Sequence, residues 1–231
     1  MTRRWLLTLC AASLFTGHGW AFQGEHPVTG RKIAGVMGVQ GADWLSRPER
    51  EQEENPEGAL DALAIRPGMV VADVGAGTGY MSLRLAKRVG PTGKVYANDI
   101  QPEMLRRLRE NAAKAGLTNV ETVQGDEADP KLPQGRMDLL LLVDVYHEFS
   151  KPRQVIDKIR ESMKPDGRLV LLEYRKEDPN VPIREEHKMT VAQVKAELEP
   201  EGFVMSQVIE TLPRQHILIL TKAAAKAAAG Q

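Results

Sequence analysis

The sequence predicts a three-layer α/β sandwich, in which helices cover both faces of a mostly parallel sheet. From residue 55 onward, short apolar runs alternate with amphipathic stretches, which is the pattern of repeated strand–helix units. Two of the runs, residues 137–143 and 168–173, are almost entirely aliphatic, as expected of strands that are buried on both faces. Near the end of the chain, two further runs on either side of Pro213 predict a hairpin that closes the sheet.

The individual elements follow from the same alternation. Strands of the main sheet are predicted at residues 69–74, 94–98, 120–124, 137–143 and 168–173. Helical spacing of apolar residues predicts helices at residues 81–89, 102–115, 152–163 and 190–198. Pro102 and Pro152 suit the first turn of a helix, and Gly116 suits the position that follows the last turn. The two strands of the closing hairpin are residues 203–209 and 216–221.

Residues 1–21 are predicted to be an export signal that lies outside the fold. Arg3 and Arg4 form a short basic segment, residues 5–15 are apolar, and a small-residue cleavage site ends at Ala21. The apolar run is too short for a transmembrane helix, and the paired arginines loosely resemble a twin-arginine signal. The predicted localisation is therefore periplasmic or secreted. The alternatives are an uncleaved membrane anchor or amphipathic arm, and a cytoplasmic protein if the segment is not a signal.

The chain of 231 residues has the length of one ordinary domain with additional segments. We expect an N-terminal arm at residues 22–54, a main domain at residues 55–222 and a disordered tail at residues 223–231. The arm is expected to be irregular and to end in a short helix. Trp44 and residues 47–54 are candidates for a lid over a substrate, although a solvated helix with a core tryptophan is the favoured interpretation.

The composition excludes several classes of function. The 31 basic and 31 acidic residues balance and no polybasic tract is present, so capture of nucleic acid or of an anionic membrane is not expected. Cys10 is the only cysteine, which excludes a disulfide within the chain and a metal site built on cysteines. The sequence also shows no cluster of histidine, aspartate and glutamate at metal-ligand spacing, so no metal is predicted.

A glycine-rich turn joins the first strand of the main domain to the following helix. Gly75, Gly77 and Gly79 allow the backbone to turn sharply and to approach a ligand closely, and the helix behind them offers free N–H groups. A dinucleotide-binding turn of the G-x-G-x-x-G type would have its third glycine at position 80, which is Tyr80. The spacing here is G-x-G-x-G, so a nicotinamide or flavin site is not predicted.

Two carboxylates follow the next two strands at the same edge of the sheet. Asp99 comes twenty residues after Gly79, where a carboxylate can accept both hydroxyls of a ribose. Asp126 follows the third strand, where it is expected to meet an adenine amino group. Because parallel sheets bind ligands at the carboxyl ends of their strands, the glycines and the two acids together predict a nucleoside site. The alternative is an ordinary strand–helix turn with solvated acids.

With these motifs, the sequence resembles the class I S-adenosylmethionine-dependent methyltransferases over residues 55–221. The matching segments are residues 71–79, 98–100, 125–127, 138–144 and 163–169. Within the class, residues 164–173 and the closing hairpin are most similar to small-molecule enzymes such as the ubiquinone/menaquinone C-methyltransferases. The resemblance implies a Rossmann-like methyltransferase fold, with a mostly parallel seven-stranded sheet and a C-terminal antiparallel hairpin, and S-adenosylmethionine as the cofactor.

The resemblance also implies which residues hold that cofactor. Asp73 and the glycine-rich turn would hold the methionine end, and Asp99 would bind the ribose. Ile100 and Asp126 would contact the adenine, and Asp144 would border the reacting methyl group. The N-terminal arm has no assigned counterpart in the class, so its role in covering a substrate is inferred from position alone.

Candidate catalytic residues follow the fourth strand. Methyl transfer from a sulfonium is an in-line displacement that requires alignment of the reactants and, for some acceptors, removal of a proton. His147 is the candidate base, because the ordinary pKa of histidine lies near neutral pH. Tyr146 is expected to line the acceptor pocket and Glu148 to orient the imidazole. The alternative is that His147 and Glu148 cap the next helix or face solvent.

Further candidates for the substrate pocket follow the fifth strand. Tyr174 and Arg175 are expected to contact the acceptor, and His187 to close over it. The favoured alternative for His187 is an exposed loop residue, and His216 is expected to be structural. The loop after the fourth strand lacks the Asn/Asp-Pro-Pro-aromatic motif of many amino-methylating enzymes, which favours an oxygen or carbon acceptor.

The leading hypothesis is an exported methyltransferase that acts on oxygen or carbon of a small molecule. No nucleic-acid partner is expected, and no stable membrane insertion after cleavage of the signal. One rival is a methyltransferase that acts on protein or nucleic acid, against which the neutral charge counts. A second rival is a binding protein that keeps the cofactor fold without turnover, since the sequence does not explain how an exported enzyme obtains its cofactor.

Overall fold

The structure is a computed structural model that describes residues 24–224. The strands in this part of the chain are β1 (Gly24–Glu25), β2 (Lys32–Ile33), β3 (Val70–Val74), β4 (Lys94–Asp99), β5 (Val120–Gln124), β6 (Met137–Val143), β7 (Met163–Arg175), β8 (Lys188–Met189), β9 (Phe203–Ile209) and β10 (Gln215–Lys222). The α-helices are α1 (Arg50–Glu54), α2 (Pro56–Ala62), α3 (Tyr80–Val89), α4 (Pro102–Lys114), α5 (Pro152–Ser162) and α6 (Val191–Leu198). Short 3₁₀ helices occupy Val39–Ser46, Tyr146–Glu148 and Glu185–His187.

Seven strands form one continuous sheet in the order β5-β4-β3-β6-β7-β10-β9. The first five of these strands pair in parallel, whereas β10 lies antiparallel to both β7 and β9. The mostly parallel sheet and its closing antiparallel hairpin are therefore confirmed. The two-residue strand β8 adds an eighth member, because it pairs in parallel with the end of β7.

The strand order reverses at β3 and β6, which are neighbours in the sheet although β4 and β5 lie between them in the chain. At such a point the connections after two adjacent strands diverge, and they leave a crevice at the carboxyl ends. The glycine-rich turn follows β3, and residues 144–148 follow β6. The fold thus brings two of the segments that the sequence singled out to the same crevice.

Alternating side chains of the central strands pack against helices on both faces of the sheet. Leu139 and Leu141 of β6 contact the cluster that includes α2 and α3, whereas Leu140 and Leu142 contact α5 and α6. All four leucines are fully buried. Successive side chains of a strand point to opposite faces, so this aliphatic run fills two cores at once. Each buried leucine contributes about 1.5–3 kcal/mol, which makes β6 a major source of stability next to the crevice.

The strand β7 is longer than the sequence predicts. Residues 168–173 are the predicted strand, whereas β7 runs from Met163 to Arg175. The pairing with β6 shifts register, so that residues 164–167 bulge out of the ladder. This bulge contains Pro165 and Gly167, which are residue types that interrupt strand patterns in a sequence. The helix α5 accordingly ends one residue earlier than predicted.

The N-terminal arm is more regular than predicted. The strands β1 and β2 form a small antiparallel hairpin, the 3₁₀ helix Val39–Ser46 follows, and α1 completes the arm. The buried carboxylate of Glu197 in α6 anchors this hairpin, because it lies 2.9 Å from Arg31 Nε and 3.3 Å from His26 Nε2. Arg31 also donates from Nη1 to the carbonyl oxygen of His147 at 3.0 Å. The arm is therefore fixed at the carboxyl edge of the sheet.

The interpretation of the arm as a solvated helix with a core tryptophan is wrong. The side chain of Trp44 is 52% exposed, and the Arg47 guanidinium lies 3.7 Å from the centre of its ring. Arg50 and Glu54 of α1 are buried instead, and Arg50 Nε donates to Glu54 Oε2 at 2.6 Å. The charged side of α1 thus faces the crevice, while the aromatic ring lies at its rim.

Two predictions fall outside the described residues. The export signal at residues 1–21 and most of the tail at residues 223–231 are not described, so both stay predictions. Within residues 24–224, no helix combines the length and the apolar character that crossing a membrane requires.

Candidate active site

A large cavity lies at the carboxyl edge of the sheet, where the connections after β3 and β6 diverge. Its volume of about 1430 Å³ exceeds the roughly 300–1,000 Å³ of a typical small-ligand pocket. The glycine-rich turn, the loops after β4, β5 and β6, and the N-terminal arm all contribute to its wall. The cavity therefore has room for a nucleoside cofactor together with a second small molecule.

Two of the three predicted glycines border this cavity. Gly75 and Gly77 have φ values of 76° and 54°, in the left-handed region that favours glycine. A Cβ atom at Gly75 would lie 2.3 Å from a side-chain carbon of Val145, so only glycine lets the turn pass the loop after β6. Gly79 precedes α3 instead, and a Cβ atom there would collide with Leu108 of α4. Gly79 therefore permits helix packing, which corrects its prediction as a cofactor ligand.

Asp99 ends β4 and supplies the buried carboxylate of the predicted ribose site. Its Oδ2 accepts a hydrogen bond from Gly77 N–H at 2.9 Å, and its Oδ1 accepts one from Gln101 N–H at 2.8 Å. Burial raises the pKa of Asp99, and the backbone N–H groups oppose that shift. A carboxylate offers about four lone-pair sites, so Asp99 retains acceptor capacity for a ribose hydroxyl. The geometry fits the predicted role.

Ile100 and Asp126 line the cavity wall that also contains Asp99. The Ile100 side chain is 38% exposed, which leaves an apolar surface for a purine ring. The carboxylate of Asp126 accepts from two backbone N–H groups of its own turn, and its Oδ2 lies 3.2 Å from Lys131 Nζ. Both oxygens of Asp126 already have partners, so a contact with adenine depends on their remaining lone pairs.

Asp73 lies outside the cavity wall, contrary to its predicted contact with the methionine end of the cofactor. Its buried carboxylate accepts a hydrogen bond from Ser82 Oγ at 2.5 Å. Burial raises the pKa of Asp73 to about 6, although the hydrogen bond from Ser82 opposes the shift. Asp73 thus ties β3 to the beginning of α3. It positions the glycine-rich turn that lies between these elements.

Asp144 follows β6 and offers a buried oxygen to a cation. Its φ is 52°, and its Oδ2 accepts from Gln215 Nε2 at 2.7 Å. Its Oδ1 has no hydrogen-bond partner among residues 24–224. Burial, assisted by the negative charges of Glu54 and Glu173, raises the pKa of Asp144 well above its ordinary value. An unsatisfied buried acceptor costs about 1–3 kcal/mol, so this oxygen fits the positively charged methionine end of S-adenosylmethionine.

The arm contributes the ion pair of Arg50 and Glu54 to the same cavity wall. Arg50 donates from Nη1 to the carbonyl oxygen of Leu45 at 2.8 Å, and its guanidinium lies 4.3 Å from the centre of the Tyr80 ring. Tyr174 borders the cavity as predicted, but its hydroxyl donates to Glu54 Oε1 at 2.9 Å. Burial raises the pKa of Tyr174 above its ordinary value, so this phenol stays a hydrogen-bond donor.

His147 links a buried carboxylate to the cavity. Its Nδ1 lies 2.6 Å from Glu173 Oε2, and its Nε2 lies 3.1 Å from His187 Nδ1. Burial disfavours the charged imidazole, but the adjacent Glu173 carboxylate overcomes this effect and raises the pKa of His147. Burial and the charge of His147 lower the pKa of His187 to about 4. Both ring nitrogens of His147 are therefore engaged, Nδ1 with Glu173 and Nε2 with His187.

The roles predicted for the two neighbours of His147 are wrong. Tyr146 is 1% exposed, and its ring lies 5.4 Å from the guanidinium carbon of Arg31, so it faces the interior and not the acceptor. Glu148 lines the cavity, but Glu173 and not Glu148 orients the imidazole. Burial raises the pKa of Glu148 to about 7, although the charge of His147 opposes the shift.

The fold also brings together three side chains that can bind a metal. One ligand atom from each of His147, Glu148 and His187 lies within 4.8 Å of the others. His187 lies 40 residues after His147, so their contact does not show in the spacing of residues along the chain. For this reason no metal is predicted from the sequence. His187 lines the cavity, as the acceptor-closing role requires, so its favoured alternative as an exposed loop residue is wrong.

Arg175 and His216 serve the structure rather than the acceptor. Arg175 donates to the carbonyl oxygens of Leu212 and Pro213 in the turn between β9 and β10, so its predicted substrate contact is wrong. The buried His216 lies with its Nε2 3.0 Å from Glu177 Oε2, in agreement with the expected structural role.

Glu173, Arg50 and Glu54 contribute to the site but are not among the residues predicted from the sequence. A carboxylate at the end of an aliphatic, doubly buried strand is costly unless it has partners, so Glu173 carried a signal that could have been used. Arg50 and Glu54 have the i, i+4 spacing of a helical ion pair. Their burial against the cavity depends on where α1 docks, which the spacing does not reveal.

Comparison with known proteins shows the family of the chain. A family model described as a methyltransferase domain matches residues 65–219. Nocamycin O-methyltransferase from Saccharothrix syringae is 33% identical over 140 residues, which cover 61% of this chain and 48% of that protein. A ubiquinone/menaquinone biosynthesis C-methyltransferase from Hydrogenovibrio crunogenus is 34% identical over 120 residues, which cover 51% and 47% respectively. The chain spans about half the length of the curated relatives that it matches.

A solved structure gives the same assignment. The crystal structure of a SAM-dependent methyltransferase from Aquifex aeolicus is similar with a TM-score of 0.75 and 29% identity, and the match covers 80% of this chain and 98% of that chain. This likeness confirms the Rossmann-like fold that the sequence predicts. The chain therefore belongs to the methyltransferase-domain family, and its cofactor is S-adenosylmethionine.

Proposed function

We propose that the protein transfers the methyl group of S-adenosylmethionine to an oxygen or carbon atom of a small molecule. The observation that carries this proposal is one cavity lined by both Asp99 and Asp144 and by His147 and His187. The bound cofactor supplies a methyl group that its sulfonium already activates. The protein must then align the acceptor, exclude water and take up a proton where the acceptor loses one.

The cavity residues divide these tasks. Asp99 would bind the ribose hydroxyls, and the buried Oδ1 of Asp144 would hold the positively charged methionine end. His147 and His187 border the remaining space and would contact the acceptor and its proton. Arg50 and other residues of the arm form one side of the cavity wall, which would reduce access of water to the reacting atoms.

A small-molecule acceptor agrees best with the available observations. The relatives named for nocamycin and for ubiquinone/menaquinone biosynthesis act on small molecules, at oxygen and at carbon respectively. The balanced charge of the chain does not favour nucleic acid. Methylation of a protein is the first alternative, and a protein that binds S-adenosylmethionine without turnover is the second.

Calorimetric titration of residues 22–231 with S-adenosylmethionine and with S-adenosylhomocysteine tests the first half of the proposal. We expect micromolar affinity for both. Release of S-adenosylhomocysteine in the presence of hydroxylated compounds or carbon acids then identifies the acceptor. Cofactor binding without release across a broad acceptor set would favour the non-catalytic alternative, and failure to bind either ligand would refute both.

Replacing Asp99 with alanine is expected to weaken binding of S-adenosylmethionine by at least about 1 kcal/mol, roughly fivefold in Kd. The reason is the loss of charge-assisted hydrogen bonds to the ribose. Titration calorimetry measures the effect, with Asp157→Ala in α5 as the control, since that half-exposed side chain pairs with Arg160 and does not line the cavity. Equal affinities of the two variants would remove Asp99 from the ribose site.

We also infer that the protein is exported, because residues 1–21 combine paired arginines, an apolar segment and a small-residue cleavage site. A reporter fused to residues 1–25 is expected to reach the periplasm. Replacing Arg3 and Arg4 with lysine should block export if the twin-arginine route is used. A reporter retained in the cytoplasm would overturn the inference.

A further inference from the structure

We propose that His147, Glu148 and His187 bind one divalent first-row transition-metal ion in the wall of the cavity. The ion would hold the acceptor through a hydroxyl or enolate oxygen. This second statement rests on the proposed methyl transfer, whereas binding of the ion does not. The proposal concerns a site that the spacing of residues along the chain did not indicate.

The two imidazoles are already at the separation that a shared metal requires. His147 Nε2 and His187 Nδ1 lie 3.1 Å apart. Two nitrogens at that separation, each about 2.1 Å from an ion, subtend an angle of about 95° at the metal. This angle lies between the octahedral and tetrahedral values. A ligand atom of Glu148 lies within 4.8 Å of one ligand atom of each histidine, and binding of a shared ion would require its carboxylate to move closer to both rings.

Glu173 is the second, independent observation that points to a metal. A metal-binding histidine almost always donates its other ring N–H to a carboxylate or carbonyl, which fixes the tautomer and the ring orientation. Glu173 is fully buried, and its Oε2 lies 2.6 Å from His147 Nδ1. Its Oε1 accepts from the backbone N–H of Tyr146 at 3.1 Å, which fixes the carboxylate itself. With its proton on Nδ1, His147 directs the Nε2 lone pair toward His187.

The donor set and its location suit a catalytic ion. Two imidazoles and one carboxylate favour zinc, iron, cobalt or nickel over the harder magnesium and calcium ions. Three protein ligands leave coordination positions open, and all three side chains line the cavity. His147 and Glu148 lie in the 3₁₀ helix that follows β6, and His187 precedes β8, which pairs with β7. The ligands are thus held by short segments at the ends of core strands, as an accurate site requires.

The same nitrogen separation suits a proton shared by two imidazoles, so the test must detect a metal directly. The full chain, without a histidine tag and after treatment with a chelator, is titrated with Co²⁺ alone. We expect visible absorption from Co²⁺ with nitrogen ligands, saturating at one equivalent and disappearing when Zn²⁺ is added. His187→Ala should abolish the signal, and Glu173→Gln should weaken binding about 10–100-fold because Glu173 orients His147.

Glu186→Gln is the matched control, because Glu186 neighbours His187 in the same 3₁₀ helix but is not one of the three ligands. It should bind Co²⁺ as the wild type does. Circular dichroism verifies the fold of each variant, and Glu148→Gln, expected to weaken binding, replaces His187→Ala if that variant unfolds. The absence of saturable absorption in the wild type would overturn the proposal, as would equal binding by the wild type and the ligand variants.

Titration with S-adenosylhomocysteine on the same samples separates this proposal from the proposed function. Cofactor binding without a cobalt signal overturns the metal site and leaves methyl transfer standing. A cobalt signal without cofactor binding supports the metal site and overturns methyl transfer.

Discussion

Replacing Glu197 with glutamine is expected to destabilise the protein by about 3–5 kcal/mol, because it leaves Arg31 as a buried charge without its carboxylate. The Glu197 side chain is fully buried and accepts from Arg31 Nε at 2.9 Å and 3.2 Å. It also accepts from the Thr29 hydroxyl and lies 3.3 Å from His26 Nε2. Glu197 is thus the point at which the N-terminal hairpin is attached to the domain. Urea denaturation measures the change in the free energy of unfolding.

Glu199→Gln provides the control for this experiment, since Glu199 lies two residues further along at the end of α6 and is exposed. Its free energy of unfolding should stay within about 0.5 kcal/mol of the wild type. Limited proteolysis offers a second readout, because loosening of the arm in the Glu197 variant should expose residues between β2 and α1. Identical denaturation midpoints for the two variants would refute the anchoring role of Glu197.

Replacing His147 with glutamine is expected to lower turnover by about 10²–10⁴-fold, because the variant loses the imidazole that either takes up the proton of the acceptor or binds the ion that holds that acceptor. A glutamine amide can still donate to Glu173, so the variant tests the imidazole and not the burial of the carboxylate. Affinity for S-adenosylmethionine should not change, because the residues proposed to bind it, Gly75, Gly77 and Asp99, lie elsewhere in the cavity wall. The rate of S-adenosylhomocysteine release and titration calorimetry give the two quantities separately.

Tyr146→Phe is the matched control for His147→Gln. Tyr146 is adjacent in the sequence, but its side chain is buried away from the cavity, so loss of its hydroxyl should leave turnover unchanged at temperatures well below unfolding. A wild-type rate for His147→Gln would reduce His147 to a structural residue. A loss of turnover in Tyr146→Phe as large as that in His147→Gln would indicate that Tyr146 does line the acceptor pocket.

The grouping of the predicted cofactor residues at one edge of the sheet could be derived from the sequence, because these residues belong to local units. Gly75 and Gly77 lie in one strand–turn–helix unit, and Asp99 and Ile100 end the next strand. Parallel strands align their carboxyl ends, so residues that follow neighbouring strands come together without further information. The order of the strands then needs only the right-handed crossover rule. Gly79 and Asp73 were misassigned because their packing against α3 and α4 has no counterpart in the spacing.

The acceptor side could be predicted only in part. Tyr146, His147 and Glu148 are consecutive, yet in a 3₁₀ helix their side chains point in different directions, toward the core, toward Glu173 and His187, and into the cavity. Sequence adjacency therefore did not show which of them meets a ligand. Arg175 was misassigned for the same reason, since alternate residues of a strand face opposite sides.

The sequence by itself determined the α/β sheet, the glycine-rich turn and the position of Asp99 at the end of the next strand, because hydrophobic periodicity and turn chemistry are local properties. Only the tertiary structure decided that Glu173 orients His147, that His187 reaches the same cavity, and that Glu197 attaches the arm. Each of these contacts joins residues that are 26 to 166 positions apart. Such contacts are set by how helices and loops dock on the finished sheet, and the free energy of docking depends on shape and on buried charge rather than on any repeating pattern.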